Sequence, residues 1–266
     1  MIIGASTLGV GLSELAEIMD SVELYLPKLR VYERETLSKE RVERLTDILS
    51  TQKINTSIHA PYFSNSTSYP RDLVVDTTMM QKQHFKLMEE AINLADKLAS
   101  NIVVIHPGRI IENREKSLKS MIKNLKQLAD YAKDHGVMLG LENKEGTDPE
   151  NLCTTPEEII NVIDQVGSEN LAITFDIGHA NLTCNGDQSK LTTFTETLAE
   201  RIVHIHIHDN KGKNTAQHHG DTHAAIGMGC IDFNILHKLK YNGIYNLEMF
   251  STEDIRKSRK LLKNHL

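Results

Sequence analysis

The stretch IVHIHIHDN at residues 202–210 alternates isoleucine with histidine and ends in polar residues. Side chains two positions apart lie on the same face of a β-strand, so His204, His206 and His208 share one face. In a barrel, alternate residues of each strand point inward, so either all three histidines face the barrel axis or none does. We interpret His204 as a hydrogen-bonded structural residue, His206 as a metal ligand and His208 as a residue that contacts substrate.

Other apolar runs of the chain also end in a histidine or a carboxylate. They are TSIHAPY (56–62), IVVIHPG (102–108), LGLENK (139–144), AITFDIGH (172–179) and YNLE (245–248). A D-x-H pair follows the opening stretch. Nine side chains of metal-ligand type therefore lie at or near predicted strand ends: His59, His106, Glu142, Asp176, His179, His206, Asp221, His223 and Glu248. One site assembled from the ends of many strands is typical of a (β/α)8 barrel.

Eight strand-like segments alternate with helix-like segments along the whole chain. Most are short and rich in Val, Ile and Leu, which is typical of parallel strands covered on both faces. Their predicted bounds are 2–6, 22–26, 55–59, 102–106, 138–142, 171–176, 202–208 and 245–250. We therefore predict an α/β fold in which residues 1–266 form a single (β/α)8 barrel, with the metal site at the carboxyl ends of the strands. The main alternative is a doubly wound open sheet, and the lack of a G-x-G-x-x-G after the first strand disfavours its nucleotide-binding form.

Local signals place helix ends and loops between the strands. Residues 155–158 read as a capping box with proline at the first helical position, and Gly167 ends that helix. Asp232 is expected to cap a helix through residues 235–239. Two long loops, 63–76 and 209–230, follow the third and seventh strands on the side where barrel enzymes bind substrate.

The bulk composition indicates an ordinary globular protein. Of the 266 residues, 39% are hydrophobic and 25% are charged. The formal net charge is −6, so no global basic field points to nucleic acid. The three cysteines are far apart, and the start of the chain lacks the features of a signal peptide, so we expect a cytoplasmic protein. No stretch is long and apolar enough for a membrane span, and we predict no membrane or protein partner.

The number of candidate ligands bears on the kind of site. A structural zinc uses about four ligands and a catalytic zinc about three plus water, so nine ligands suggest two or three ions. Five of the nine are histidines, which suits zinc, with manganese or iron as alternatives. Glu142 has two oxygens with which to bridge two cations, and Gly178 is expected to permit a tight turn between Asp176 and His179.

Two reactions are compatible with such a site. Close-set cations clamp the attacking and leaving oxygens of a phosphate ester and generate hydroxide near neutral pH. Sugar isomerisation instead needs one or two divalent ions chelated by substrate oxygens, and a proton-transferring group beside them.

The ligand residues resemble the xylose isomerase-like TIM-barrel superfamily, and within it the endonuclease IV branch (family 2 apurinic/apyrimidinic endonucleases). The resemblance extends from GAS at 4–6 to LEMF at 247–250. Four of the residues are also shared with single-metal, ketose 3-epimerase-like members: Glu142, Asp176, His206 and Glu248.

The other five residues match the additional ligands of the nucleases. The resemblance implies three zinc ions, held by His59/His106/Glu142, by Glu142/Asp176/His206/Glu248 and by His179/Asp221/His223, with Glu142 bridging the first two. Tyr62 lies where the nucleases have a tyrosine that contacts distorted DNA, and this implies a substrate-binding role.

Two segments depart from the nuclease pattern. YLPKLRVYERETLSKE at 25–40 stands where the nucleases carry a basic and aromatic DNA-entering loop, and only Lys28 and Arg30 are candidates for that role. Ser6 stands where the family has a histidine near the start of the chain.

We therefore favour a zinc-dependent phosphoesterase of the endonuclease IV kind, which acts in DNA repair on abasic-site DNA or on a smaller phosphate ester. The alternative is a sugar or sugar-phosphate isomerase or epimerase that uses manganese or magnesium. There, Glu142 and Glu248 would be the catalytic pair, which holds the metal and exchanges a proton at carbon. A third interpretation is a metal-binding barrel that has lost its reaction. Nothing in the sequence requires it, because none of the candidate ligands is missing.

Overall fold

Eight parallel strands close into a barrel in the order of the chain, and the first strand pairs with the last. In the computed structural model, which describes residues 2–216 and 218–265, the strands are β1 (Ile2–Ser6), β2 (Ser21–Tyr25), β3 (Asn55–His59), β4 (Ile102–Ile105), β5 (Met138–Glu142), β6 (Leu171–Asp176), β7 (Ile202–Ile207) and β8 (Ile244–Leu247). The predicted (β/α)8 barrel is confirmed.

Helices surround the barrel on its outer side. They are α1 (Leu12–Ile18), α2 (Leu26–Leu29), α3 (Lys39–Gln52), α4 (Lys82–Lys97), α5 (Arg114–Asp134), α6 (Pro156–Val166), α7 (Ile177–Thr183), α8 (Gln188–Leu198) and α9 (Thr252–Leu262). The strands are nearly continuous in buried apolar residues because the helices cover their outer faces and the barrel interior covers the others. Among the described residues, no helix is long and apolar enough to cross a membrane.

The predicted ends of α6 are present. The hydroxyl of Thr155 accepts a hydrogen bond from the backbone N–H of Glu158, and Pro156 occupies the first turn. Gly167 ends the helix in the left-handed conformation, with φ of 67°. Only half of the capping box forms, because the carboxylate of Glu158 accepts from the backbone N–H of Cys153 instead.

The segment after β7 forms a different helix from the one predicted. Phe233–Lys238 is a 3-10 helix, not an α-helix. Asp232 caps it as expected, but its side chain accepts from the N–H of Asn234, only two residues on. The backbone bonds at both ends of this segment join residues three apart, from Ile235 to Asp232 and from Leu239 to Leu236, which is the tighter 3-10 pattern.

Two loops rise above the carboxyl ends of the strands. The β3 loop (residues 63–76) contains a 3-10 turn at Arg71–Leu73, and the β7 loop (residues 209–230) is held from within by Asp209. The buried Asp209 carboxylate accepts hydrogen bonds from the backbone N–H groups of Gly227 and Gly229 at 2.9 and 2.8 Å. Backbone pairing of Asp209 with Ala224 fixes the start of this loop, so its two ligand-type residues have a defined position.

The segment between β2 and α3 is compact. It consists of α2 and a hairpin that pairs Tyr32–Glu33 with Thr36–Leu37. The ammonium of Lys28 donates to the backbone oxygen of Leu8 at 2.9 Å. This segment therefore packs beside the start of the chain.

Candidate metal centre

All nine predicted ligand residues lie together at the carboxyl end of the barrel. Most of these side chains are almost fully buried. The distances between their nitrogen and oxygen atoms divide them into three groups. The residues at the predicted strand ends therefore come together in one place, as expected.

The first group joins β3, β4 and β5. His106 Nε2 lies 3.2 Å from His59 Nε2 and 3.1 Å from Glu142 Oε2. The distance from His59 Nε2 to the same carboxylate oxygen is 3.8 Å. Three ligand atoms at these separations surround a space the size of one cation.

The second group lies deeper, around His206. Its Nδ1 atom is 3.4 Å from Glu142 Oε2, 3.5 Å from Glu248 Oε2 and 4.0 Å from Asp176 Oδ2. Glu142 thus faces the first group and the second through Oε2, whereas the predicted bridge used both oxygens; Oε1 lies 3.0 Å from His179 Nδ1.

The third group involves the β7 loop. Asp221 Oδ2 is 3.2 Å from His179 Nε2 and 3.2 Å from His223 Nε2. His179 lies on α7, directly after β6. The β7 loop therefore places Asp221 and His223 beside a histidine that the barrel itself positions.

The histidine rings are oriented by hydrogen bonds on their far sides. Nδ1 of His59, His179 and His223 lies 3.0, 2.9 and 2.9 Å from the backbone oxygens of residues 60, 143 and 248. Since a carbonyl can only accept, each Nδ1 carries a proton. The lone pair of each ring in its neutral form is therefore on Nε2, which faces the group. Ligand histidines in metalloproteins are held in this way.

His206 has the opposite orientation, and the residue responsible was missed in the sequence. Glu23, on β2, is fully buried, and its Oε2 lies 3.2 Å from Nε2 of His206 and 2.9 Å from Nε2 of His204. The same carboxylate accepts from Ser57 and from the side-chain amide of Asn246. His204 therefore has the hydrogen-bonded setting that we predicted, and Glu23 leaves Nδ1 of His206 for the ligand group.

We expect Glu23→Gln to weaken metal binding by about 10- to 100-fold, the usual cost of losing a carboxylate behind a ligand histidine. Glutamine keeps one acceptor oxygen but loses the negative charge, and its amide N–H would face the amide N–H of Asn246, so the His206 ring is held less firmly. Equilibrium dialysis against zinc measures this. Glu17→Gln, on the exposed face of α1, is the matched control. Equal affinity in the two variants would show that Glu23 has no part in orienting His206.

Gly178 has a different role from the one predicted. It does not form a tight turn between Asp176 and His179, because it lies within α7 and Asp176 is the N-cap of that helix. A Cβ at position 178 would collide with the imidazole of His208. The glycine is thus required for close approach, not for a left-handed backbone.

That close approach brings His208 into the ligand cluster. Its Nε2 is 3.1 Å from Asp176 Oδ1 and 3.5 Å from Asp221 Oδ1, and its ring stacks on His223 at 4.2 Å. His208 is fully buried. The structure places it between Asp176 of the second group and Asp221 of the third.

A lysine and a glutamate that the sequence reasoning did not select also enter the site. Lys144 Nζ lies 3.1 Å from His179 Nε2 and 3.1 Å from Glu145 Oε2. Both residues follow Glu142 directly after β5, so the position was visible in LENKEG, but a Lys-Glu pair in a loop is more often exposed to solvent.

Burial and charge act in opposite directions on the ionisable groups. Burial opposes ionisation of Glu142, but the adjacent histidines, His106 foremost, hold its pKa well below the usual value. The pKa of Glu248 is raised, chiefly by burial. Burial would lower the pKa of His223, yet the neighbouring Asp221 raises it to about 9. Burial would likewise lower the pKa of Lys144, but Glu145 and the other carboxylates raise it.

A pocket of about 580 Å³ opens above the ligand groups. Residues 63–67 of the β3 loop and the middle of the β7 loop form its walls. Tyr62 also lines it, with its hydroxyl 2.9 Å from that of Tyr25 and its ring 4.2 Å from that of His106. Arg109 lines the pocket too, with its guanidinium bound to Asp148 at 2.8 Å.

Comparison with known proteins agrees with the fold. A family model described as xylose isomerase-like TIM barrel matches residues 12–265. An uncharacterized protein of Methanocaldococcus jannaschii is 31% identical over 238 residues, which are 86% of this chain and 76% of that protein. A Listeria monocytogenes protein named probable endonuclease 4 is 30% identical over 195 residues, 70% of this chain but only 61% of the relative's length.

Among solved structures, a D-tagatose 3-epimerase-like protein superposes with a TM-score of 0.82 at 29% identity, covering 100% of this chain and 97% of that one. An AP endonuclease, family 2, from Brucella melitensis superposes with a TM-score of 0.73 at 16% identity, covering 99% of each chain, and at that identity the likeness concerns the fold alone.

Proposed function

The chain belongs to the family of xylose isomerase-like TIM barrels, and within this family we propose that it is a zinc-dependent phosphodiesterase of the endonuclease IV kind, which cleaves DNA at abasic sites. Members of the superfamily are enzymes, and both hydrolases and isomerases occur among the similar proteins.

The observation that carries the proposal is the presence of three ligand groups around Glu142. A single-metal isomerase would need only the ligands of the second group. His59 and His106 add a group on one side of it, and the D-x-H pair of the β7 loop completes another beside His179. Close-set cations are the usual means of phosphate ester hydrolysis.

The residues present suit divalent cations. Glu142 Oε2, Asp176 Oδ2 and His206 Nδ1 are buried without a well-directed hydrogen bond from any described residue. Buried polar atoms are normally satisfied, so three such atoms facing one another indicate a cation between them. The first group would hold one zinc, the second another and the third a further one. When bound, these ions would supply Lewis acidity at phosphorus and a nucleophile near neutral pH.

His208 gains an assignment that differs from the predicted substrate contact. Its position between Asp176 and Asp221 supports a role as a further ligand, or as a residue that holds the two carboxylates apart. The substrate contact stays a prediction.

The chain's own side chains would position the substrate. Tyr62, next to the first group, would contact the sugar of the abasic nucleotide. Phe250 is 58% exposed and its ring lies 5.5 Å from that of His223, so it offers a surface on which a neighbouring base can stack. Because Asp148 pairs with Arg109, the phosphate would depend for its charge partners on the ligand groups and on Lys144.

We expect the zinc-loaded protein to incise a duplex that contains one abasic site, and to leave the matched intact duplex uncut. Addition of EDTA should abolish incision and excess zinc should restore it. Gel separation of end-labelled DNA measures both. A protein with full zinc content that leaves the abasic duplex intact would exclude the DNA substrate.

The second candidate is a ketose epimerase, supported by the second ligand group. Glu142 and Glu248 both approach Nδ1 of His206, the arrangement of a carboxylate pair around one ion. Such an enzyme would exchange a carbon-bound proton of its substrate with solvent. Proton NMR in heavy water on a panel of ketoses and their phosphates detects this, and absence of exchange across the panel would exclude it.

A further inference from the structure

The third ligand group contains a cation of the protein's own. Nζ of Lys144 lies 3.1 Å from Nε2 of His179, within hydrogen-bonding distance. Nε2 of His179 also lies 3.2 Å from Oδ2 of Asp221, which in turn contacts His223. Lys144 is largely buried, with its side chain 15% exposed.

The two uses of His179 Nε2 exclude each other. Its Nδ1 lies 2.9 Å from the backbone oxygen of Asn143 and so carries the ring proton. When the imidazole is neutral, as it must be to bind a metal ion, its single lone pair is on Nε2. That lone pair accepts a hydrogen bond from Lys144 or binds a metal ion, and it cannot do both.

Charge adds to this competition. Asp221 and Glu145 bring two negative charges to the third group, and the ammonium of Lys144 is 3.1 Å from Glu145 Oε2. A divalent ion bound by His179 would lie a few ångströms from this ammonium and would be repelled by it. Among the residues that the structure describes, no lysine or arginine is recorded in an ion pair with a carboxylate of the first two groups, so those groups lack such a competitor.

We propose that the ammonium of Lys144 is the resident cation of the third group, and that a third divalent ion binds only when Lys144 moves away from His179. The chain therefore binds two ions more tightly than the third. The inference rests on the proposed function in one respect, that the ligand groups bind divalent metal.

The test is a zinc titration of chelator-treated protein by equilibrium dialysis with elemental analysis. We expect the third ion to bind the unaltered chain at least about tenfold more weakly than the second, and Lys144→Met to tighten the third step at least about tenfold without moving the first two. Lys190→Met is the matched control, since that lysine lies on α8 with a 70% exposed side chain. Adding His223→Leu, which leaves no ligand atom at that position, to Lys144→Met should remove the third step, which assigns it to this group.

Three equally tight ions in the unaltered chain, or a third step that Lys144→Met does not change, overturns the inference. Thermal melts of the metal-free variants check folding, and Lys144→Gln replaces the methionine variant if the latter does not fold. The titration does not depend on catalysis. If Lys144→Met tightens the third zinc ion but the protein does not incise abasic DNA, only the proposed function is rejected. A chain that binds no zinc fails both.

Discussion

The Glu142→Gln variant is expected to lose two zinc ions at once and to lower incision of abasic DNA by at least about 10²–10³-fold, the usual cost of removing one preorganised charge-stabilising group. Glutamine keeps the shape of the side chain but removes the charge. Because Oε2 of Glu142 faces His106 at 3.1 Å and His206 at 3.4 Å, the loss reaches the first group and the second together.

Elemental analysis after dialysis measures the zinc content of this variant. Glu112→Gln is a suitable control, because Glu112 is exposed and its carboxylate pairs only with Lys116 among the recorded ion pairs. Loss of a single ion would show that Glu142 does not bridge. Unchanged zinc content would remove it from the ligand set altogether.

Removal of the metal ions should lower the melting temperature by about 8–16 °C. A ligand present at a thousandfold excess over its Kd stabilises the folded state by about 4 kcal/mol, and in a chain of this size about 2–4 °C corresponds to each kcal/mol. Without cations, the carboxylates of Glu142, Asp176 and Glu248 remain buried close together and repel one another.

Differential scanning calorimetry of zinc-loaded and chelator-treated protein tests this expectation. The His206→Leu variant, which has no ligand atom for the second group, should show a smaller difference between the two states. Identical melting curves for the loaded and stripped unaltered protein would mean that the ions contribute nothing to stability.

The barrel and the positions of the candidate ligands were predictable because both depend on local patterns. An apolar run followed by a histidine or carboxylate identifies a strand and the residue at its carboxyl end, and barrel topology then brings such ends together. The sequence also predicted the β3 and β7 loops as the walls of the site. These features need no knowledge of side-chain packing.

Residues that act through contacts between distant elements were not predictable in the same way. Glu23 lies inside the apolar run SVELY, where a buried carboxylate stands out, but its partners His204 and His206 are about 180 residues away. Gly178 was assigned to a turn because its actual constraint, the ring of His208, comes from the next strand. Lys144 was overlooked because nothing in its local sequence indicates burial.

The opposite ring orientations of the histidines have a consequence for how the site can be altered. An asparagine amide reaches about as far from the backbone as Nδ1 of histidine, and a glutamine amide about as far as Nε2. His206 presents Nδ1 to its group, whereas His59, His106, His179 and His223 present Nε2. Asparagine is therefore the closest mimic at one candidate ligand position and glutamine at the other four. Replacing every histidine by the same amide would disturb the groups unequally.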